Sequence, residues 1–255
     1  MTGLAELLGL AQGMLWLHAL VFLRVGPVMA LLPGFGEQSV PVRVKLALAL
    51  AFTVIVTPAA APWLDPLPEA RIEWLILTET VAGLVTGIGL RLLLLALQTA
   101  GAIAAQATSL SQILGAVDVT PLPAMGHILV VAGLALAMML GLHVQVARML
   151  VLTYGVLPAG ALPAPPAVSQ WGVAQVSSAF SLAFALSAPF VIVSLLYNLT
   201  LGIINRAMPQ LMVVFVGAPV ITAGGLFLLF LLAPAMLTHW SGALQDFIAN
   251  PFGAR

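Results

Sequence analysis

Cysteine is absent from the 255 residues, which excludes disulfides and any metal site built on thiolates. Charge is scarce as well. The chain has 8 Lys or Arg and 8 Asp or Glu, 6% of its residues, where a soluble domain carries roughly 25%. So few charges cannot cover a water-facing surface. The formal net charge is +0, so there is no basic face for nucleic acid. Nor does a Lys or Arg precede the first apolar run, in MTGLAELLGLAQG. That makes a poor secretory leader, and the first segment is expected to stay in the mature protein.

What is present is hydrophobic: 62% of the residues, with a mean hydropathy of +1.17. This composition is that of an integral membrane protein. A spanning helix needs about 20 mostly apolar residues. Six segments qualify in outline: 10–32, 44–60, 75–105, 128–154, 173–203 and 213–237. The third is long enough to tilt or to project beyond a bilayer. In the fifth, Pro189 is expected to kink the helix. The connections are the acidic PWLDPLPEARIEW, a polar stretch at 106–125, the linker LPAGALPAPPAV and the turn around RAMPQ. The hydroxyl- and amide-rich 106–125 reads as a loop or broken helix. The tail, THWSGALQDFIANPFGAR, is mildly amphipathic and is expected at the membrane interface. The apolar runs are too long for barrel strands and do not alternate. The expected fold is all-α, a polytopic membrane protein of about six long hydrophobic helices without an internal sequence repeat. Arg43, Lys45 and Arg206 fall in one alternating set of connections; the other has Arg71 among Asp65, Glu69 and Glu73. The positive-inside rule places the first set in the cytoplasm.

Arg24, Glu79, Arg91 and Arg148 stand inside the apolar runs. A charge at the bilayer centre costs at least about 2.5–3.5 kcal/mol. Such groups serve an ion path or a proton relay, or they form interhelical pairs, or they snorkel. A relay needs a chain of acids, and Glu79 is the one acid inside a run. Glu79 and Arg91 are about 18 Å apart along a helix and do not pair with each other. Helices packed against partner subunits instead of lipid would tolerate all four charges best, which points to an obligate assembly. The step Gly83 to Gly87 fits ordinary close helix crossing. His18, His127, His143 and His239 have no metal-ligand spacing on one helix. There is no phosphate-binding Gly-rich loop, no HExxH and no nucleophile elbow in QATSLSQ. No catalytic residue, metal or cofactor is expected, and the protein is not expected to be an enzyme.

Several stretches, in order, resemble the FliR family of flagellar export-gate proteins and its type III secretion counterpart SctT. Arg206, Pro209 and Gln210, followed by Phe215, Gly217 and Pro219, look like its R-x-x-P-Q … F-x-x-G-x-P signature. Arg24, Pro33, Phe35, Gly36, Pro41, Arg43 and Lys45 are similar to its N-terminal pattern. Glu79, Gly83 and Gly87 match its E-x-x-x-G-x-x-x-G, and Gly101, Gln106, Asp118, His143 and LPAG at 157–160 continue the series. The chain departs from the pattern in having Gly141-Leu142-His143 for the usual Asn-Gly-His and Asp118-Val119 for the usual Asp-Pro.

The resemblance implies one export-gate membrane domain over 1–255. Residues 1–168 would be FliP-like, 169–240 a FliQ-like hairpin and 241–255 a tail. With FliP and FliQ it would form the channel through which unfolded flagellar proteins cross the bacterial inner membrane at the flagellar basal body. FlhB and FlhA would be further partners. A channel plug is expected near 106–122, involving Gln106, Ser109, Ser111, Gln112, Gly115 and Asp118. Arg206, Pro209 and Gln210 would form the hairpin tip that meets a partner. Arg24, Glu79, Arg91 and Arg148 would make intersubunit or interhelix contacts. The alternatives are an SctT subunit of a virulence injectisome and, from another class, a small-solute secondary transporter.

Overall fold

A lipid environment leaves the backbone no solvent partner, so each segment must satisfy its own N–H and C=O groups. The computed structural model, which describes residues 2–64, 72–108, 124–208 and 213–253, does this with helices, and the described residues contain no strand. The elements are α1 (Thr2–Leu31), α2 (Val42–Leu64), α3 (Ile72–Thr108), α4 (Ala124–Met139), α5 (Leu142–Val156), α6 (Pro165–Ala207) and α7 (Val213–Ala249). Five helices are long and apolar enough to cross a membrane, and α4 with α5 counts as a sixth, broken span. The protein is therefore an all-α polytopic membrane protein. Buried hydroxyls follow the same rule. Thr53, Thr57, Thr86 and Ser187 each donate to the carbonyl four residues earlier, the back-bond that hides a hydroxyl in its own helix.

Four boundaries differ from expectation. The fourth segment is two helices, because Gly141 takes a left-handed φ of 76°, a conformation that costs glycine least. Gln106 and Thr108 belong to the last turn of α3, not to a loop; small Ala and Gly neighbours leave nothing to stop the helix earlier. The linker ends sooner than read, since α6 starts at Pro165, and proline is well suited to a first helical turn. It then runs unbroken through Pro189. Finally, the tail is not a separate element. Its residues to Ala249 continue α7, with Trp240, Leu244, Phe247 and Ile248 buried in protein. At 37, 43 and 37 residues, α3, α6 and α7 measure about 55–65 Å, roughly twice a hydrocarbon core of about 30 Å.

The chain divides into two compact units. The first comprises Met1–Leu92, Met138–Gln175 and Leu244–Arg255. Within it α1 packs on α2, and α2 on α5. Leu20, Val25 and Val28 of α1, and Leu32 just after it, are buried with Phe52 and Val56 of α2 and Val146 and Leu150 of α5. The buried ring of Phe247 closes on Gly89, where any Cβ would collide with it. The Trp171 indole N–H donates to the carbonyl of Pro251 at 2.7 Å, and its ring lies 5.7 Å from that of Phe252.

The second unit comprises Leu93–Ala137 and Val176–Ala243. Its core centres on Trp240, fully buried, whose indole N–H donates to the Leu93 carbonyl at 2.8 Å. Gly133 leaves room for that ring and for Leu97. At Gly101 the backbone of α4 comes so close that a Cβ would strike the Cα of Gly126.

Candidate functional site

Arg24, three quarters of the way along α1, and Glu79, near the start of α3, meet although 55 positions apart. Each side chain is 1% exposed. The guanidinium grips the carboxylate with two bonds, Nε to Oε2 at 2.9 Å and Nη2 to Oε1 at 3.1 Å. Nη1 also donates to Thr153 Oγ1 at 3.3 Å, and Nη2 to the Leu157 carbonyl at 2.9 Å. The Tyr154 ring covers the remaining face, 3.7 Å from Cζ. An arginine has five N–H donors, and four are used here. Such a planar fork suits a bidentate carboxylate and an aromatic face together.

The centre also holds a loop. Gly160 takes a φ of 76°; its N–H donates to Glu79 Oε1 at 3.4 Å and its carbonyl accepts from Trp74 Nε1 at 2.9 Å. With Leu157, this fastens both ends of the LPAG stretch to α1 and α3, just ahead of α6. Gly83, one turn beyond Glu79, lets the helices approach: a Cβ there would run into the Arg24 carbonyl. Among the described residues no further acid is bonded to Glu79. The pair is thus a closed, neutral clamp across three helices.

The other two mid-run arginines are placed differently. Arg91 reaches Glu37, in the turn after α1, at 2.6 Å, and both are about a quarter exposed. Arg148 is exposed on α5 and makes no hydrogen bond or ion pair among the described residues. The sequence reading did not single out Glu37. As one of eight acids, six positions past α1, it could have been found by matching each buried cation to an acid.

Of the polar stretch, Gln106 is exposed on the last turn of α3; Ser109, Ser111, Gln112, Gly115 and Asp118 lie outside the described residues. The end of α3 is firmly held. Ser194 of α6 donates its hydroxyl to the Ala107 carbonyl, one of the carbonyls a helix end leaves free. Asn198 donates to Ser194 Oγ at 3.1 Å. Gly225 of α7 gives Thr108 its space; a Cβ would strike the Thr108 methyl. Periodicity carried no signal for Ser194, Asn198 or Gly225, because small and polar residues recur throughout α6 and α7.

At the hairpin turn Arg206 is exposed in the last turn of α6, where a cation favours the helix dipole. Pro209 and Gln210 lie outside the described residues. Tyr197 donates its hydroxyl to the Gly217 carbonyl at 2.8 Å, so α6 and α7 touch closely just before the turn. Among the described residues no three His, Asp or Glu side chains gather as a metal-binding group.

Over residues 15–247 the chain matches the profile of the family described as bacterial export proteins, family 1. It is 32% identical over 241 residues to the flagellar biosynthetic protein FliR of Caulobacter vibrioides, covering 91% of this chain and 94% of that protein. The FliR protein of Escherichia coli is 29% identical over 234 residues, 88% of this chain and 87% of the relative. That of Aquifex aeolicus is 27% identical over 237 residues, 89% of each.

Proposed function

The chain belongs to the FliR family of bacterial export proteins, and from that membership we propose that it is one subunit of a flagellar export gate in the inner membrane, assembled with FliP- and FliQ-type subunits at the basal body. As a membrane-embedded component of flagellar protein export it has no need of an active site. The observation that carries the proposal is the length of the family match, 15–247, which includes every motif of the resemblance. The relatives' flagellar names favour this reading over an injectisome subunit.

Physical features support it. Helices of about 55–65 Å exceed what a single bilayer crossing needs. Large apolar residues along α6 and α7, among them Phe180, Phe184, Leu195, Phe227 and Phe230, remain exposed on the chain, in keeping with cover by other subunits. In this reading residues 109–117 belong to a plug that seals the channel, and Ser194, Asn198 and Gly225 hold its base by fixing the end of α3. Arg206, Pro209 and Gln210 face the loop of an FlhB-type component on the cytoplasmic side.

Two outcomes are expected. Expressed alone in a host without export genes, the protein should accumulate poorly; with FliP- and FliQ-type partners it should co-purify in a stable complex. A well-behaved monomer in detergent that ignores these partners would sink the proposal. Deletion of 109–117 should leave assembly intact but make the inner membrane leak ions or small molecules. Wild-type conductance in the deletion would show that this segment is not the seal.

A further inference from the structure

Val144, Arg148 and Leu152 are exposed at a spacing of four along α5, and Val156 continues the row. That spacing places them on one face of the helix, opposite the face buried in the first unit. α2 lies alongside, and the exposed indole of Trp63 reaches Gly155, 3.4 Å from where a Cβ would sit. Arg148 is the one Lys, Arg, Asp or Glu of α5. Of the three arginines away from helix ends, Arg24 and Arg91 are matched by carboxylates of this chain. Arg148 has no such partner among the described residues.

Its position selects the kind of partner. Arg148 is the seventh residue of the 15 in α5, about 10 Å along the axis from both Gly141 and Gly155. Interfacial headgroups lie at the level where tryptophans gather. We read that level from Trp63 and Trp74, exposed tryptophans of this unit that lie beside Gly155 and Gly160 respectively. Arg148 sits two turns away from it, with Val144 and Leu152 on either side. Acyl chains offer nothing to a guanidinium, whereas a carboxylate on a neighbouring helix offers a strong bidentate partner.

We infer that the Val144–Arg148–Leu152 face of α5 seats an apolar helix of another membrane subunit, and that this helix carries one Asp or Glu paired with Arg148. The inference rests on the assembly reading above and adds the chemistry of one contact. Arg148 is not part of this chain's core, so R148M and R148E should reach the membrane at wild-type levels. Their co-purification with the co-expressed partners should fall by about tenfold or more, as for loss of one member of a desolvated pair, while R148K retains most of it. Neutralising one intramembrane acid of a partner, Glu→Gln or Asp→Asn, should restore assembly of R148M. A photo-cross-linking residue at Leu152, in an otherwise wild-type chain, should join to a partner peptide that contains that acid. R148M assembling like wild type, or a Leu152 cross-link to lipid alone, overturns the inference and leaves the assembly proposal standing. Failure of the wild-type chain itself to co-purify would remove both.

Discussion

Replacing Glu79 by Leu is expected to destabilise the protein by about 3–5 kcal/mol, the effect of stranding a buried charge without its partner. Arg24 would keep bonds to Thr153 and Leu157 but lose the carboxylate that balances its charge at 1% exposure. R24M should do similar damage from the other side, leaving a bare carboxylate. The double variant R24M/E79L should recover most of the loss, because a buried ion pair gains little over well-packed apolar residues. Thermal aggregation of the detergent-solubilised protein, read as a double-mutant cycle, measures this. Each single variant should also loosen one end of the 157–160 loop, Gly160 in E79L and Leu157 in R24M, so protease sensitivity ahead of α6 should rise. Added salt should not mimic the variants, because a buried pair is little screened. Single variants as heat-stable as wild type would mean the clamp does not hold these helices. R91A, by contrast, removes a part-exposed pair with Glu37 and should cost only about 0–1 kcal/mol.

Two glycines that face each other should respond very differently to alanine. At Gly101 a Cβ meets the backbone of Gly126, which cannot move aside without shifting α4. G101A is expected to lose about 1–3 kcal/mol, the usual effect of overpacking, despite alanine's better helix propensity of about 1 kcal/mol. At Gly126 the nearest atoms to a new Cβ are 3.5–3.7 Å away, an ordinary contact. G126A should therefore be neutral or slightly stabilising. Thermal midpoints of the two purified variants decide the matter, and equal midpoints would contradict the close approach. G83A should behave like G101A, since its Cβ would run into the Arg24 carbonyl.

These two sites mark how far the sequence could be read. Gly83 and Gly87 were legible as a close-packing step, yet the spacing named no neighbour; α1 turned out to be the helix that uses it. Arg24 and Glu79 were legible as charges that lipid would not accept. Opposite signs in two apolar runs invited pairing, but hydropathy carries no information on which helices are adjacent. The tail shows the same limit. Trp240, Leu244 and Phe247 repeat at helical spacing, and that pattern cannot say whether lipid or protein will cover it. In the structure protein covers it, and α7 gains three further turns. Gly141 was visible only as one glycine among many, since a glycine in an apolar run continues a helix as readily as it breaks one.

By itself the sequence determined the solvent, the secondary structure and the family. With 6% charged residues no water-facing surface is affordable, and in hydrocarbon the backbone has only the helix as an open-ended solution. Family motifs then survive as short local strings, readable without any fold. Tertiary structure alone decided which charges are neutralised inside the chain and which are left for others. Pairing depends on distances set by helix packing: Arg24 found Glu79, Arg91 found Glu37, and Arg148 faces outward from the chain.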